Sequence, residues 1–149
     1  MDEVSLHIDA PAERIYDLVA DITQMGRWSP ECTGGKWLDG SAAPAVGARF
    51  KGSNKKGLMR WSTKCEITKA DRPTAFEWQV AESGMLWGYR FEPAGDGTLV
   101  TEYREKTRDT PFYVKAVQKS GLIGKDREGL MVEGMKATLE KVKQAAERG

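Results

Sequence analysis

Val4, Leu6 and Ile8 alternate with Ser5 and His7, the two-residue period of a strand with one face buried. Pro11 then stands at what reads as the first position of a helix, where its missing N–H costs nothing. Ile15, Leu18, Val19 and Ile22 supply that helix's buried side. Asp21 with Gln24 has the spacing of a capping box opening a second short helix, which Trp28-Ser29-Pro30 ends. Cys32 to Leu38 reads as a strand with a bulge or bend at Gly34-Gly35, and Asp39 to Gly47 as a loop. Ala48 to Asn54 is a short strand turned by Lys55-Lys56-Gly57. Leu58 to Ala70 sets Trp61, Thr63, Cys65 and Ile67 on one face and Arg60, Ser62, Lys64 and Glu66 on the other. After a turn at Asp71-Arg72-Pro73, the next inward set is Phe76, Trp78 and Val80. Ser83-Gly84 turns the chain into Met85, Trp87, Tyr89 and Phe91, and Pro93 to Gly97 makes a hairpin into Thr98 to Lys106.

The period changes to that of a helix from Asp126 to about Glu147. Leu130, Met131, Gly134, Met135, Thr138, Leu139, Val142 and Ala145 form one stripe, and Glu133, Lys136, Glu140, Lys143 and Glu147 take the opposite face. Asp126 suits the N-cap and Glu128 the first turn. Gly129 and Gly134 each weaken a helix by about 1 kcal/mol relative to alanine, so the stripe implies either close backbone packing or room left for a guest. Strands joined by short turns make an antiparallel meander whose edge the first strand joins. The expectation is α+β: a bent antiparallel sheet of about seven strands around one long C-terminal helix, with two short helices closing one end. Residues 109–125, with Pro111, Phe112 and Tyr113 at their start, read as a packed connector or a lid over a cavity mouth.

Composition narrows the function classes. Residues 1–149 read as one domain, 40% hydrophobic and 30% charged, which is ordinary for a soluble globular protein. A net charge of +1 gives no global pull toward nucleic acid or membrane. No apolar run approaches the length of a membrane-spanning helix, and the acidic start Met1-Asp2-Glu3 is unlike a signal peptide. Cys32 and Cys65 are isolated, which fits free thiols in a reducing cytoplasm, with one disulfide as the alternative. Five tryptophans are the unusual feature; a flat ring with one donor suits a cavity wall.

The order of motifs resembles a known superfamily. Asp9-Ala10-Pro11, Ile15-Tyr16, Asp21 and Trp28-Ser29-Pro30-Glu31 are similar to the opening of the START/Bet v 1-like (SRPBCC) helix-grip proteins. Trp78, Tyr89-Arg90-Phe91-Glu92-Pro93, Gly97-Thr98 and Val100-Thr101 resemble their later strands, and Gly134-Met135 with Thr138-Leu139 their long helix. The likeness is strongest to the bacterial polyketide cyclase/dehydrase and lipid-transport branch. It implies a helix-grip fold and a hydrophobic cavity between sheet and C-terminal helix for lipids, polyketides, sterols or similar molecules.

The main constellation is Trp61, Thr63, Cys65, Phe76, Trp78, Trp87, Tyr89 and Phe91 facing Met131, Gly134, Met135 and Thr138. Either these side chains pack on one another as a solid core, or the glycines and threonines opposite so many large rings leave unfilled space. Thr63, Tyr89 and Thr138 could then orient a ligand's polar end. The last strand is ambiguous in phase: Val100, Glu102 and Arg104 point inward, or Leu99, Thr101 and Tyr103 do. A surface Glu102 paired with Arg104 or Lys106 is the expectation; inside, its carboxyl would have a raised pKa and could act as general acid or base. Glu102, Tyr89 and Tyr103 are accordingly the candidate catalytic groups.

His7 alternates out of phase with Leu6 and Ile8 and reads as exposed. No HExxH, CxxC or His–carboxylate spacing supports a metal, and no cofactor is expected. Gly52 to Gly57 begins with P-loop spacing, but Leu58-Met59 replaces the required Lys-Ser/Thr. Arg49, Lys51, Lys55, Lys56, Arg60 and Lys64 surround that turn and read as a solvated sheet face, with an anionic surface or partner as the alternative. Trp28 reads as packing the second helix onto the sheet. The expected function is binding of a small hydrophobic molecule by a cytoplasmic monomer or weak homodimer with no nucleic-acid partner and no integral membrane association. The alternative is a cyclase/dehydratase using the same cavity.

Overall fold

A computed structural model describes residues 2–28, 32–41, 43–82, 84–106 and 127–148, the side chains of 56 and 127–131 excepted. Its strands are β1 (Asp2–Ile8), β2 (Cys32–Leu38), β3 (Arg49–Lys56), β4 (Met59–Asp71), β5 (Ala75–Val80), β6 (Met85–Ala94) and β7 (Gly97–Lys106). They form one seven-stranded antiparallel sheet in the order β1-β7-β6-β5-β4-β3-β2, the expected meander with β1 added at the β7 edge. Helix α1 (Ala12–Ala20) and a 3₁₀ turn (Ile22–Arg27) follow β1, and α2 (Arg127–Arg148) closes the chain. Among the described residues no helix is long and apolar enough to cross a membrane. The reading of residues 109–125 as connector or lid lies outside the described residues, as does the N-cap assigned to Asp126.

Two helix starts differ from expectation by their chemistry. Pro11 keeps an extended ψ of 147°, so it is the N-cap rather than the first helical residue, and its carbonyl accepts from Arg14 and Ile15 N–H. Asp21 caps the 3₁₀ turn by accepting from the Thr23 N–H at 3.2 Å. Gln24 completes no capping box, because its amide donates to the Asp21 carboxylate at 2.7 Å instead of reaching back to a backbone N–H. The turn nests closely on β2: a Cβ at Gly35 would strike the Ile22 carbonyl, so a residue without a side chain is required there. The register shift in β2 falls between Cys32 and Gly34. The β3–β4 turn is Gly57-Leu58 rather than Lys55-Lys56-Gly57, because both lysines still pair with β4.

One end of the inner sheet face is closed by α1. Ile15, Tyr16, Val19 and Ala20 are buried there with Ile67, Phe76, Phe91, Val100 and Ile8, and burial of each large side chain contributes about 1.5–3 kcal/mol. Trp28 is buried in the same core, with the Arg27 guanidinium 4.9 Å above its ring. Helix α2 lies against β1 and α1 and reaches β7. Its buried side is Met135, Thr138, Leu139, Val142 and Ala146; the stripe ends on Ala146, not on the expected Ala145, which is half-buried. The Glu147 carboxylate pins the last turn by accepting from the Asp9 N–H at 2.9 Å and from Lys143.

The phase of β7 is resolved by its neighbours. Val100 and Glu102 face inward opposite Phe91 and Tyr89, yet Thr101 and Tyr103 are buried as well. The reason is a polar ladder on the outer face. Ser5 and Thr101 share a hydrogen bond of 2.8 Å, Arg90 bonds Glu3 and lies over the Tyr103 ring, and Tyr103 donates to Glu77 at 2.6 Å. Thr68 donates to the other Glu77 oxygen at 2.7 Å. Tyr103 reaches Glu77 by crossing Gly88, where a Cβ would lie 2.5 Å from its ring. Both faces of β7 are therefore covered, which alternation alone cannot encode.

Candidate functional site

The inner wall is graded along its strands. The inward row of β4 runs Met59, Trp61, Thr63, Cys65, Ile67, and passes from 66% exposed at Met59 through half-buried Trp61 and Thr63 to 4% and 0%. On β5 and β6 the same gradient runs from half-buried Trp87 to buried Trp78, Tyr89, Phe76 and Phe91. Ring spacing separates packing from lining. Phe76 and Phe91 meet Tyr16 of α1 edge-on at 6.0 and 5.8 Å, so they belong to the closed floor. Trp78 is the hub of the middle, 5.6 Å from Phe76, 6.0 Å from Tyr89 and 6.3 Å from Phe50. Phe50, absent from the expected wall, stands between Trp37 and Trp78 and is buried. Its alternation with Arg49 and Lys51 was the available signal.

Glu102 lies in this middle zone, cross-strand from Tyr89. It is 4% exposed, which corrects the expected surface pairing with Arg104 or Lys106. Lys106 is exposed at the strand's end. Arg104 shares the inner phase of Glu102, but its guanidinium donates to Asp2 at 2.7 Å and lies over the Trp87 ring. The Glu102 Oε2 has no hydrogen-bond partner among the described residues. Burial alone pushes its carboxyl well above the usual carboxylate range. The Tyr89 hydroxyl is pushed up in turn, first by burial and then by the field of Glu102. Burial thus favours the neutral, proton-bearing form of both groups, on facing residues of β6 and β7.

The other predicted residues sort by what already holds them. Cys65 shares a 3.8 Å hydrogen bond with Thr63, and burial pushes its thiol up to about 12, so it is a packing group and not a nucleophile. Cys32 and Cys65 are both free thiols. The Thr138 hydroxyl donates to the Gly134 carbonyl at 2.8 Å, leaving only its lone pairs for another partner. Met135 is buried and Gly134 half-buried, while the Met131 side chain lies outside the described residues. Tyr103 is corrected as a cavity group: it lies on the outer face, bonded to Glu77, with the sheet between it and Glu102. Among the described residues no cluster of three or more His, Cys, Asp or Glu could hold a metal. His7 is exposed, with Nε2 2.9 Å from the Ala94 carbonyl. The basic turn carries a cleft of about 490 Å³ lined by Lys51, Ser53, Lys55, Arg60, Trp61 and Ser62 among others.

Solved structures share this fold. A polyketide-cyclase-like protein of Corynebacterium glutamicum is 34% identical, with 98% of this chain and 90% of that one covered and a TM-score of 0.68. A protein of Thermus thermophilus has the same fold at 19% identity, with coverage of 98% and 96% and a TM-score of 0.68. So does the di-domain ARO/CYC protein StfQ of the steffimycin biosynthetic pathway, at 14% identity and a TM-score of 0.71, covering 99% of this chain and 45% of that one. Among curated proteins none matches the chain. The family profile for polyketide cyclase / dehydrase and lipid transport matches residues 3–147, spanning every element of the inner wall, and the chain belongs to that family.

Proposed function

We propose that the protein encloses a small hydrophobic molecule of lipid, polyketide or aromatic type between the inner sheet face and α2. The observation that carries this reading is the Glu102 Oε2, unpartnered among the described residues and cross-strand from Tyr89, in a row of rings that continues through Trp78 to Phe50. A buried polar atom without a partner costs about 1–3 kcal/mol, and a ligand carbonyl or hydroxyl would remove that cost. The apolar body would lie toward Trp61 and Trp87, driven by burial at roughly 25 cal/mol per Å². Native mass spectrometry of freshly purified protein, followed by tryptophan-fluorescence titration with fatty acids, quinones and aromatic polyketides, is the test. A retained small molecule or a saturable spectral shift supports the reading; neither with any of these ligands sinks it.

A second reading is favoured by the same carboxyl. In a cyclase/dehydratase, neutral Glu102 would donate its proton to the carbonyl oxygen as a carbon nucleophile of the same chain attacks. The carboxylate so formed would then take the proton of the carbon next to the new hydroxyl and pass it to the departing oxygen as the C–O bond breaks and water leaves. The proton released when the carbon nucleophile formed its enolate would restore the neutral acid. Tyr89 would hold the oxygen in place by hydrogen bonding. Single-turnover rates of cyclisation with a poly-β-keto substrate separate the two readings. Loss of rate in Glu102→Gln with retained binding supports catalysis, and an unchanged rate in both Glu102→Gln and Tyr89→Phe removes it.

A further inference from the structure

We propose that the β3–β4 hairpin is a docking tip for an anionic lipid bilayer, placed to pass an apolar molecule into the interior site; the transfer rests on the binding reading above, the docking does not. Three independent features of the hairpin point there.

The tip is apolar and bare. Leu58 is 103% exposed and Met59 66%, and with Val46 they are the exposed large hydrophobic side chains among the described residues. Two such side chains adjacent at a hairpin turn have no cover among the described residues, whereas an interface of acyl chains would supply it.

Behind the tip the outer face pairs like charges. Lys55 is opposite Arg60, Lys51 is opposite Lys64, and Lys36 is opposite Lys51 across β2. Like charges directly opposite on a sheet destabilise it, so stability does not explain the rows. Ser53 stands opposite Ser62 between them, and this small hydroxyl notch forms part of the cleft of about 490 Å³. Cationic rows with hydroxyls between them fit phosphate-bearing headgroups. At about 3.3 Å per residue, Lys55 and Arg60 would sit at headgroup depth when Leu58 and Met59 enter the acyl boundary. A nucleic acid or an acidic protein surface would satisfy the charges but leave Leu58 and Met59 in water, and that decides for the bilayer.

The tip also connects to the interior. Met59 heads the inward row of β4, which continues through Trp61, Thr63 and Cys65 to Ile67 with steadily falling exposure. An apolar molecule leaving the bilayer at Met59 would meet aromatic and small side chains all the way to Trp78 and Glu102.

The test is flotation of the full chain with vesicles of phosphatidylcholine alone and of equal parts phosphatidylcholine and phosphatidylglycerol. The protein is expected on the anionic vesicles and not on the neutral ones, with binding weakened by salt. Leu58→Ser with Met59→Ser should reduce vesicle affinity roughly tenfold or more. Lys55→Glu with Arg60→Glu should reduce it roughly fivefold per cation removed. All four positions being exposed, thermal midpoints should stay at wild-type values, so a loss of vesicle binding is not a loss of fold. Equal binding to both vesicle types, full binding by the Leu58/Met59 variant, or retention on heparin or an acidic protein without vesicle binding each overturns the docking proposal. Vesicle binding with the expected variant losses but no uptake of any apolar probe would uphold the docking tip and count against the interior site alone.

Discussion

Tyr89 and Glu102 stand opposite each other on the inner faces of β6 and β7, and each holds its proton more tightly than it would in water. Both are stripped of solvent, and at Tyr89 the field of Glu102 adds to the effect of burial. Arg104, two residues along the same face, is held by Asp2 instead. The chain thus keeps a neutral acid inside an aromatic wall, an arrangement that stability alone does not favour.

This gives a stability signature in pH. Glu102 has a folded-state pKa raised above the ordinary 4.5, so its contribution to stability is fully present below that value and is lost as pH rises toward the folded pKa. Over that window the unfolded chain gives up the Glu102 proton while the folded protein keeps it, a slope of up to about 1.4 kcal/mol per pH unit. Glu102→Gln should lack this slope and gain on wild type steadily from mildly acid to neutral pH. Thermal midpoints of both proteins across that range are the measurement, and parallel curves would show that Glu102 ionises as an exposed carboxylate does.

The two kinds of tryptophan should respond differently to truncation. Trp78 is buried against Phe50, Phe76 and Tyr89, so Trp78→Ala should cost about 3–5 kcal/mol of folding stability. Trp61 is half-buried, and Trp61→Ala should leave the thermal midpoint nearly unchanged while weakening ligand binding about tenfold. Denaturant unfolding and ligand titration of the two variants separate packing from lining. Equal losses of stability would assign both rings to a solid core.

The fold was legible because its signals are local. Alternation from Trp61 to Ile67, the hairpin residues between Pro93 and Gly97, and the helical stripe through Leu139 and Val142 each need only a few neighbours to read. What escaped depends on pairing. Glu102 looked like a surface residue because Arg104 and Lys106 flank it at strand spacing, and only the cross-strand register with Tyr89 puts it inside. Tyr103 passed for a cavity candidate because nothing near it in sequence announces Glu77, its partner across the outer face. Ala146 rather than Ala145 ends the buried stripe of the helix, whose last turn meets the Asp9 N–H at Glu147, a contact from the far end of the chain.

The outer ladder should be separable from the site. Tyr103→Phe removes the 2.6 Å bond to Glu77 but leaves the one from Thr68, so the expected loss is about 1–2 kcal/mol with ligand affinity unchanged. Gly88→Ala should cost more, about 1–3 kcal/mol, because its Cβ would occupy space held by the Tyr103 ring. Chemical denaturation checks both. A Tyr103→Phe protein of normal stability that binds ligand poorly would place Tyr103 in the binding machinery after all.

Gly134 offers the sharpest probe of α2. It is half-buried, and its carbonyl accepts the Thr138 hydroxyl at 2.8 Å, a bond that any residue at 134 can keep. Helix propensity favours a substitution, since leucine is close to 1 kcal/mol better than glycine in a helix interior. If the glycine exists to leave room for a guest, Gly134→Leu should fold with an equal or higher thermal midpoint while ligand binding falls at least tenfold, the side chain taking the ligand's place. Gly134→Ala, which adds a single carbon, should raise stability with a smaller loss of binding. If the glycine instead permits close backbone packing, both variants should unfold more easily, leucine far more than alanine, and binding should fall only in step with the folded fraction. Circular dichroism melts beside fluorescence titrations distinguish the two, because one ordering reverses stability against affinity and the other moves them together.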